Sequence, residues 1–309
     1  MVHQYTQKLK TLIGKKLPRT LRQSSRSYIF LFIPILAIVL FTAAMALILW
    51  TLNYQNKNQQ EYTLFRETAY AKQRIQLRFN SNEDALLELT REISNSVNQM
   101  RYPESFLKGA TRLIQDSPEI LHLRWIDRDK NKLWSMPNAP NHTEWYEKAT
   151  VKNKLDKELA KTYLEMAETG KATYGNIINL DLDPDDNRSA DRKYTFWHLT
   201  PVIQGGNLMG GIAVLYSARG IVRHMIPSDL SGLYRFTLND TNGLELAVSN
   251  PKKTAARSLE HDVQIDRPAS PLILHVSSYP PPTNLTYRTL LWLVIGLSMF
   301  VLWSLWSVW

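Results

Sequence analysis

The stretch YTFWHLTPVIQGGNLMGGIAVLYS, residues 194–217, decides the fold. Two runs rich in β-branched and aromatic residues, Tyr194–Ile203 and Leu208–Ser217, flank the turn Gln204-Gly205-Gly206-Asn207, the pattern of an antiparallel hairpin. Gly210-Gly211 inside the second run predicts a bulge or a close approach by another backbone or a ligand. Upstream, Ile120–Asp127 (ILHLRWID) alternates, with Leu121, Leu123 and Trp125 on one face and His122, Arg124 and Ile126 on the other. The turn-like Asp127–Asn131 then leads into Lys132–Met136 as a paired strand.

Further elements follow from local punctuation. A short helix is expected at Glu104–Gln115 after Pro103, another from Thr143 to Glu168 that stops at Gly170, and a strand over Thr173–Asn179. Ala218–Met225 reads as a short helix ending at Pro227. A weaker hairpin, Leu233–Leu238 and Leu244–Ser249 around Asn-Asp-Thr-Asn-Gly, and a last strand Leu272–Ser278 complete the series. A unit of about 57 residues is marginal alone, so the second hairpin must lean on the first or on a neighbouring helix.

From Asn53 to about Met100 the chain has no Gly or Pro and is rich in Gln, Glu, Arg and Leu, which predicts one long helix. Leu86, Leu89, Ile93, Val97 and Met100 form an apolar stripe in its far half. The near half, around Asn53–Gln60 and Lys72–Arg78, is too polar for a buried helix and reads as a solvated stalk, suited to pairing with a twin.

Two uncharged runs enclose all of this. Tyr28–Trp50 would span roughly 34 Å as a helix, against a bilayer core of about 30 Å. It is too long for the apolar region of a cleaved signal peptide and does not end at small residues. Thr289–Trp309 is the second run, with Trp303, Trp306 and Trp309 as an interfacial belt. Seven basic residues and no acid lie within residues 1–27, which places the N-terminus in the cytoplasm and residues 51–285 outside, in the periplasm of a Gram-negative cell. The chain stops where a cytoplasmic domain would begin, so the expectation is a sensor cut from a longer receptor. The other reading is a two-span envelope protein that scaffolds partners.

The formal charge of +9, from 37 Lys+Arg and 28 Asp+Glu, sits mostly in that tail, which excludes a nucleic-acid-binding face. Without cysteine there is no disulfide, thiolate nucleophile or cysteine metal site. No hydrolase, zinc-protease or phosphate-loop motif occurs, so no catalytic residue, metal ligand or cofactor is assigned. The run Asp181–Asp186 mimics the start of a calcium loop, but Asp186 and Arg192 stand where Gly and Glu are needed.

The basic tail, the span, the long polar helix, ILHLRWID-RDKNK-LWSM, the 194–217 hairpin and the returning span together resemble the extracytoplasmic sensor region of bacterial sensor histidine kinases, the Cache or PDC type. The resemblance implies an α+β fold in which two transmembrane helices flank a PAS-like antiparallel sheet with a long N-terminal stalk helix. It divides the chain into a basic tail (1–27), a span (28–50), a stalk (51–100), a PAS-like unit (101–226), a smaller second unit (227–285) and a second span (289–309). It implies a two-component signal receptor of the inner membrane, a homodimer in contact with membrane lipid. Its cytoplasmic kinase output, acting on a response regulator, lies outside this chain. The Arg that many amino-acid-binding members carry two residues before a Trp-Tyr pair is replaced here by Thr143 before Trp145-Tyr146. The partner expected is a small molecule or a periplasmic protein. With one sheet face on the stalk, the other would line a cavity. His122, Arg124, Trp134, Trp145, Tyr146, Tyr194, Phe196 and His198 are the candidate ligand-binding residues, Arg124 as a bidentate carboxylate partner.

Overall fold

The computed structural model describes residues 19–96, 103–137, 145–180, 182, 189–251, 259–266, 272–279 and 285–307. The chain divides into two compact units, Met1–Gln59 with Pro281–Trp309, and Gln60–Pro280.

A single helix, α1 (Arg19–Ser96), carries the chain through 78 residues without interruption. Among the described residues it is the one helix long and apolar enough to cross a membrane. Its side chains over Thr51–Gln60 are all exposed, as a polar stalk requires. The exposed stalk is shorter than expected, however. Leu64, Ala71, Ile75 and Phe79 are buried, so the segment Lys72–Arg78 packs into a core through a narrow stripe that its charged neighbours conceal in the sequence. The stripe continues through Leu86, Leu89 and Ile93, as its spacing predicts, whereas Val97 and Met100 lie outside the described residues. In the other unit, α7 (Leu285–Ser307) is a helix of 23 residues.

Within Gln60–Pro280 the elements between these helices run α2 (Glu104–Asp116), β1 (Ile120–Asp127), β2 (Lys132–Met136), α3 (Ala149–Thr169), β3 (Thr173–Tyr174), β4 (Ile178–Asn179), α4 (Ser189–Arg192), β5 (Tyr194–Gln204), β6 (Asn207–Ser217), α5 (Ala218–Gly220), a wider π-type turn (Ile221–Met225), α6 (Ser228–Leu233), β7 (Tyr234–Asn239), β8 (Glu245–Val248), β9 (Glu260–Ile265) and β10 (Leu272–Ser278). The strands form two antiparallel sheets. The larger has the order β2-β1-β6-β5-β3, with β4 also on β5, and the smaller β8-β7-β10-β9. The α+β class expected from the sequence is therefore the observed one. Strand β9 was not foreseen. It sits at a sheet edge with only Ile265 buried, and its apolar alternation is confined to Val263 and Ile265, too short a pattern to read as a strand.

The hairpin β5–β6 forms the centre of the larger sheet, pairing Phe196 with Tyr216 and Leu199 with Ala213. A register shift falls between Val202 and Ile203, opposite the glycine pair. Gly210 has φ +148°, and a Cβ there would lie 2.1 Å from the Ile126 carbonyl oxygen of β1. The close approach predicted for this pair is thus made by a neighbouring backbone. Helix α3 lies on one face through Val151, Leu155, Leu159, Tyr163 and Met166, and ends at Gly170 in the left-handed conformation, with its N–H on the Met166 carbonyl.

The opposite face packs on α1. One continuous cluster joins Leu64 to Ile93 of α1 with Leu123 and Trp125 of β1, Tyr216 of β6, and Phe236, Leu238, Leu274 and Val276 of the smaller sheet. The second hairpin therefore leans on the helix and on the first sheet, as its size demands. Phe79 lies at the middle of this cluster, fully buried, with its ring 5.4 Å from that of Tyr216. Phe79→Ala is expected to cost about 3–5 kcal/mol. Because both sheets share the core, denaturant titration should show one shifted transition; a second sheet that keeps its own unshifted transition would contradict this packing.

Candidate functional site

Strand β1 distributes its side chains between the two cores. Ile120, Leu123 and Trp125 face α1, while Arg124 and Ile126 face α3. Leu121 was expected on the α1 side with Leu123, but it packs against the α3 core. A register shift between Ile120 and His122 in the pairing with β6 is the cause, because it breaks the two-residue alternation at that point.

On the α3 side four of the eight predicted residues meet. Arg124 is buried, and one of its terminal nitrogens donates to Asp156 Oδ1 at 3.1 Å. The other donates to the hydroxyl of Tyr146, which in turn donates to Asp156 Oδ1 at 2.9 Å. The guanidinium also lies 4.9 Å from the Tyr146 ring centre and 5.9 Å from that of Trp197. The His122 ring stacks on Tyr146 at 5.0 Å and 16°, and Trp145 meets Tyr146 edge-on at 5.8 Å. Trp197 is fully buried and donates from its indole nitrogen to the Leu155 carbonyl at 3.0 Å.

Two buried polar atoms in this group have no hydrogen-bond partner, His122 Nε2 and Arg124 Nε. Leaving such atoms unmade is costly, so they mark a place where a polar guest would be stabilised. Burial, reinforced by the charges of Arg124 and Lys132, pushes the His122 imidazole down to about 3, so it is neutral at physiological pH. Burial raises the Tyr146 phenol above its ordinary range, against the pull of Arg124, so the hydroxyl keeps its proton. The site therefore offers a cation matched by one carboxylate, a neutral imidazole, a phenol and aromatic walls. Those groups are donors, an acceptor and ring faces, the means of holding a polar solute.

The other four predicted residues lie on the α1 side. The ring of His198 stacks on Tyr174 at 4.1 Å, Phe196 stacks on Tyr216 at 5.5 Å, and Tyr194 belongs to the same core. Trp134 meets Phe106 of α2 at 5.0 Å. The eight residues thus do not line one cavity. Tyr194, Phe196 and His198 do share a face of β5, as their alternation implies, but it is the face that α1 covers. An open groove of about 590 Å³ lies elsewhere, between α1 and α2, bordered by Arg78, Glu88, Glu92, Lys108, Arg112 and Asp116.

Sequence reasoning missed Asp156 and Trp197. Asp156 follows Leu155 on the buried stripe of α3, so its position at the edge of that stripe was the available signal. Trp197 alternates with Phe196 and had to face the other way once Phe196 was placed. The acidic residues Asp181 and Asp183–Asp186, and Thr143, lie outside the described residues.

The depressed His122 gives a pH test. The unfolded chain takes up a proton near pH 6.5 that the folded chain refuses until about 3, so stability falls as pH drops through that window. Between pH 6.5 and 5 the loss should be about 1.5 kcal/mol. In His122→Gln that component should vanish from the stability–pH curve, and an unchanged slope would show that His122 is not held neutral.

No protein-family model matches the chain, and no curated protein matches it. Among solved structures, the ligand-binding domain of the Pseudomonas aeruginosa PAO1 amino acid chemoreceptor PctB in complex with L-Arg is similar at TM-score 0.44 and 12% identity, over 73% of this chain and 97% of that one. An extracellular ligand binding receptor from Desulfohalobium retbaense gives TM-score 0.46 and 10% identity, over 71% of this chain and 41% of that one. The ligand-binding domain of the Campylobacter jejuni chemoreceptor Tlp3 in complex with L-valine gives 0.44 and 12%, over 73% and 94%.

Proposed function

We propose that the chain is the outward, ligand-sensing region of a membrane signal receptor. The observation that carries this reading is the arrangement of β1. One of its faces is anchored on the helix that also holds the apolar membrane segment, and the other carries Arg124 and His122 with unsatisfied hydrogen-bonding atoms. A guest on the α3 side would therefore act on a strand whose reverse side rests on the membrane helix. Binding transmits a signal only if it differs between two arrangements of that strand.

The ligand class is a small solute with a carboxylate or similar anion. Asp156 occupies one terminal nitrogen of Arg124 in a monodentate contact and keeps its own side chain 41% exposed. It stands where a ligand carboxylate would sit, so a solute gains the guanidinium by displacing a group that water can readily take over. Topology follows from the seven basic residues before the first apolar run: the N-terminus is inside, residues 51–285 are periplasmic, and α7 returns through the membrane. The output is a cytoplasmic histidine kinase of the two-component type, and the receptor is a homodimer. Exposed Tyr62, Tyr70 and Leu77 on α1 are available for pairing.

Two measurements test this. In a thermal-shift screen of carboxylate solutes on the full chain in lipid nanodiscs, at least one solute should raise Tm. Arg124→Gln should weaken that solute at least tenfold, about 1.4 kcal/mol; binding indifferent to the substitution would reject the site. A reporter fused near residue 180 should read as external, and a cytosolic signal would reject the receptor.

A further inference from the structure

Glu119, the residue immediately before β1, is fully buried. It is a carboxylate inside an apolar core, and both of its side-chain partners come from α1. Arg78 Nε and Asn82 Nδ2 converge on the same oxygen, Oε1, at 3.0 and 2.9 Å, while Oε2 has no hydrogen-bond partner. Ser117 donates to Asn82 Oδ1 at 2.8 Å, and Arg78 donates onward to the Asp116 carbonyl. The backbone of Glu119 is fastened on its other side, where its carbonyl accepts from Ser217 N–H at 2.9 Å. Gly220 is pressed so close that a Cβ there would lie 2.8 Å from Glu119 Cα. One residue thus joins α1, the start of β1 and the end of β6, from which the chain turns into the smaller sheet.

An ion pair with one member buried and the other one-third exposed is a poor device for stability, because desolvating the carboxylate offsets much of the attraction. What it does supply is register: a slide of 1–2 Å between helix and strand breaks both bonds to Oε1 at once. Glu119 stands three residues before His122 and five before Arg124 on a strand that is extended and paired on both sides. Other polar ties between α1 and the sheet exist, Tyr174 to Glu83 at 2.5 Å and Gln204 to the Ser94 carbonyl at 2.7 Å, but they join β3 and the hairpin rather than β1.

We infer that Glu119 is the positioning residue that couples the strand bearing His122 and Arg124 to α1, so that displacement of β1 at Arg124 is delivered to the helix at Arg78 and Asn82. The inference rests on the α3 side of β1 being the sensing side, and it adds which contact carries the change.

The test perturbs the site without a ligand. In the full chain in nanodiscs, Asp156→Asn loosens Arg124, and hydrogen exchange is read at the amides of Ile75–Leu86. Exchange there should change by about fivefold or more in the otherwise native chain, and by less than about twofold when Glu119→Gln is also present. Glu119→Gln keeps the volume of the side chain and leaves Arg78, itself one-third exposed, able to hydrate. Should that variant fail to fold, Arg78→Lys keeps a cation for the carboxylate while shortening the reach, and should diminish the response in the same way. A full response surviving in the Glu119 or Arg78 variant overturns the coupling, as does no response to Asp156→Asn in the native background. A solute screen without a hit sinks ligand sensing and leaves this result standing. A chain that binds a carboxylate yet shows no exchange change at Ile75–Leu86 sinks the coupling alone.

Discussion

The structure depends on one apolar stripe, Leu64 to Ile93, along the part of α1 that is rich in charged residues. Two antiparallel sheets bury their inner faces against the core that contains it, and neither has an equivalent partner on that side. Helical geometry repeats the stripe every 3.6 residues, so it remains continuous for about eight turns while the outer face mixes Lys, Arg, Glu and Gln with exposed Tyr62, Tyr70 and Leu77. Because water-averse area is removed from both sheets by the same side chains, the helix fixes their placement together.

That division of labour leaves the second face of the larger sheet to a different helix. Helix α3 covers it with Leu155, Leu159 and Met166 over most of its length, and polar groups gather where Tyr146 and Asp156 approach β1. The low polarity there has two effects. It holds His122 neutral, and it strengthens each hydrogen bond around Arg124.

Much of the fold was legible in the residues. The bounds of β1, β2 and β10 and the centre of the β5–β6 hairpin follow from alternation and turn chemistry, and Gly170 and the Gly210-Gly211 pair mark the features found at them. What was not legible depended on contacts distant in sequence. The stripe at Ala71, Ile75 and Phe79 hides among charges, and the edge strand β9 buries too little to show a pattern. For the site, alternation placed His122 with Arg124 and Tyr194 with Phe196 and His198. Which of those sets faced which helix was beyond it, because a sheet has two faces and local pattern does not choose between them. Asp156 enters only when α3 folds back over the sheet and brings its carboxylate to Arg124.

The shared core sets a limit on how this molecule can be divided. Sheet β8-β7-β10-β9 has its apolar side, with Phe236, Leu238, Leu274 and Val276, completed by side chains belonging to other elements. Excised alone it would be a polar-backed ribbon with an uncovered oily surface, prone to self-association. A chimera that borrows it must bring the matching length of α1 along. Insertions should be tolerated best at tips such as Asp240–Gly243, where the turn is closed by its own hydrogen bonds and Thr241, Asn242 and Gly243 are exposed.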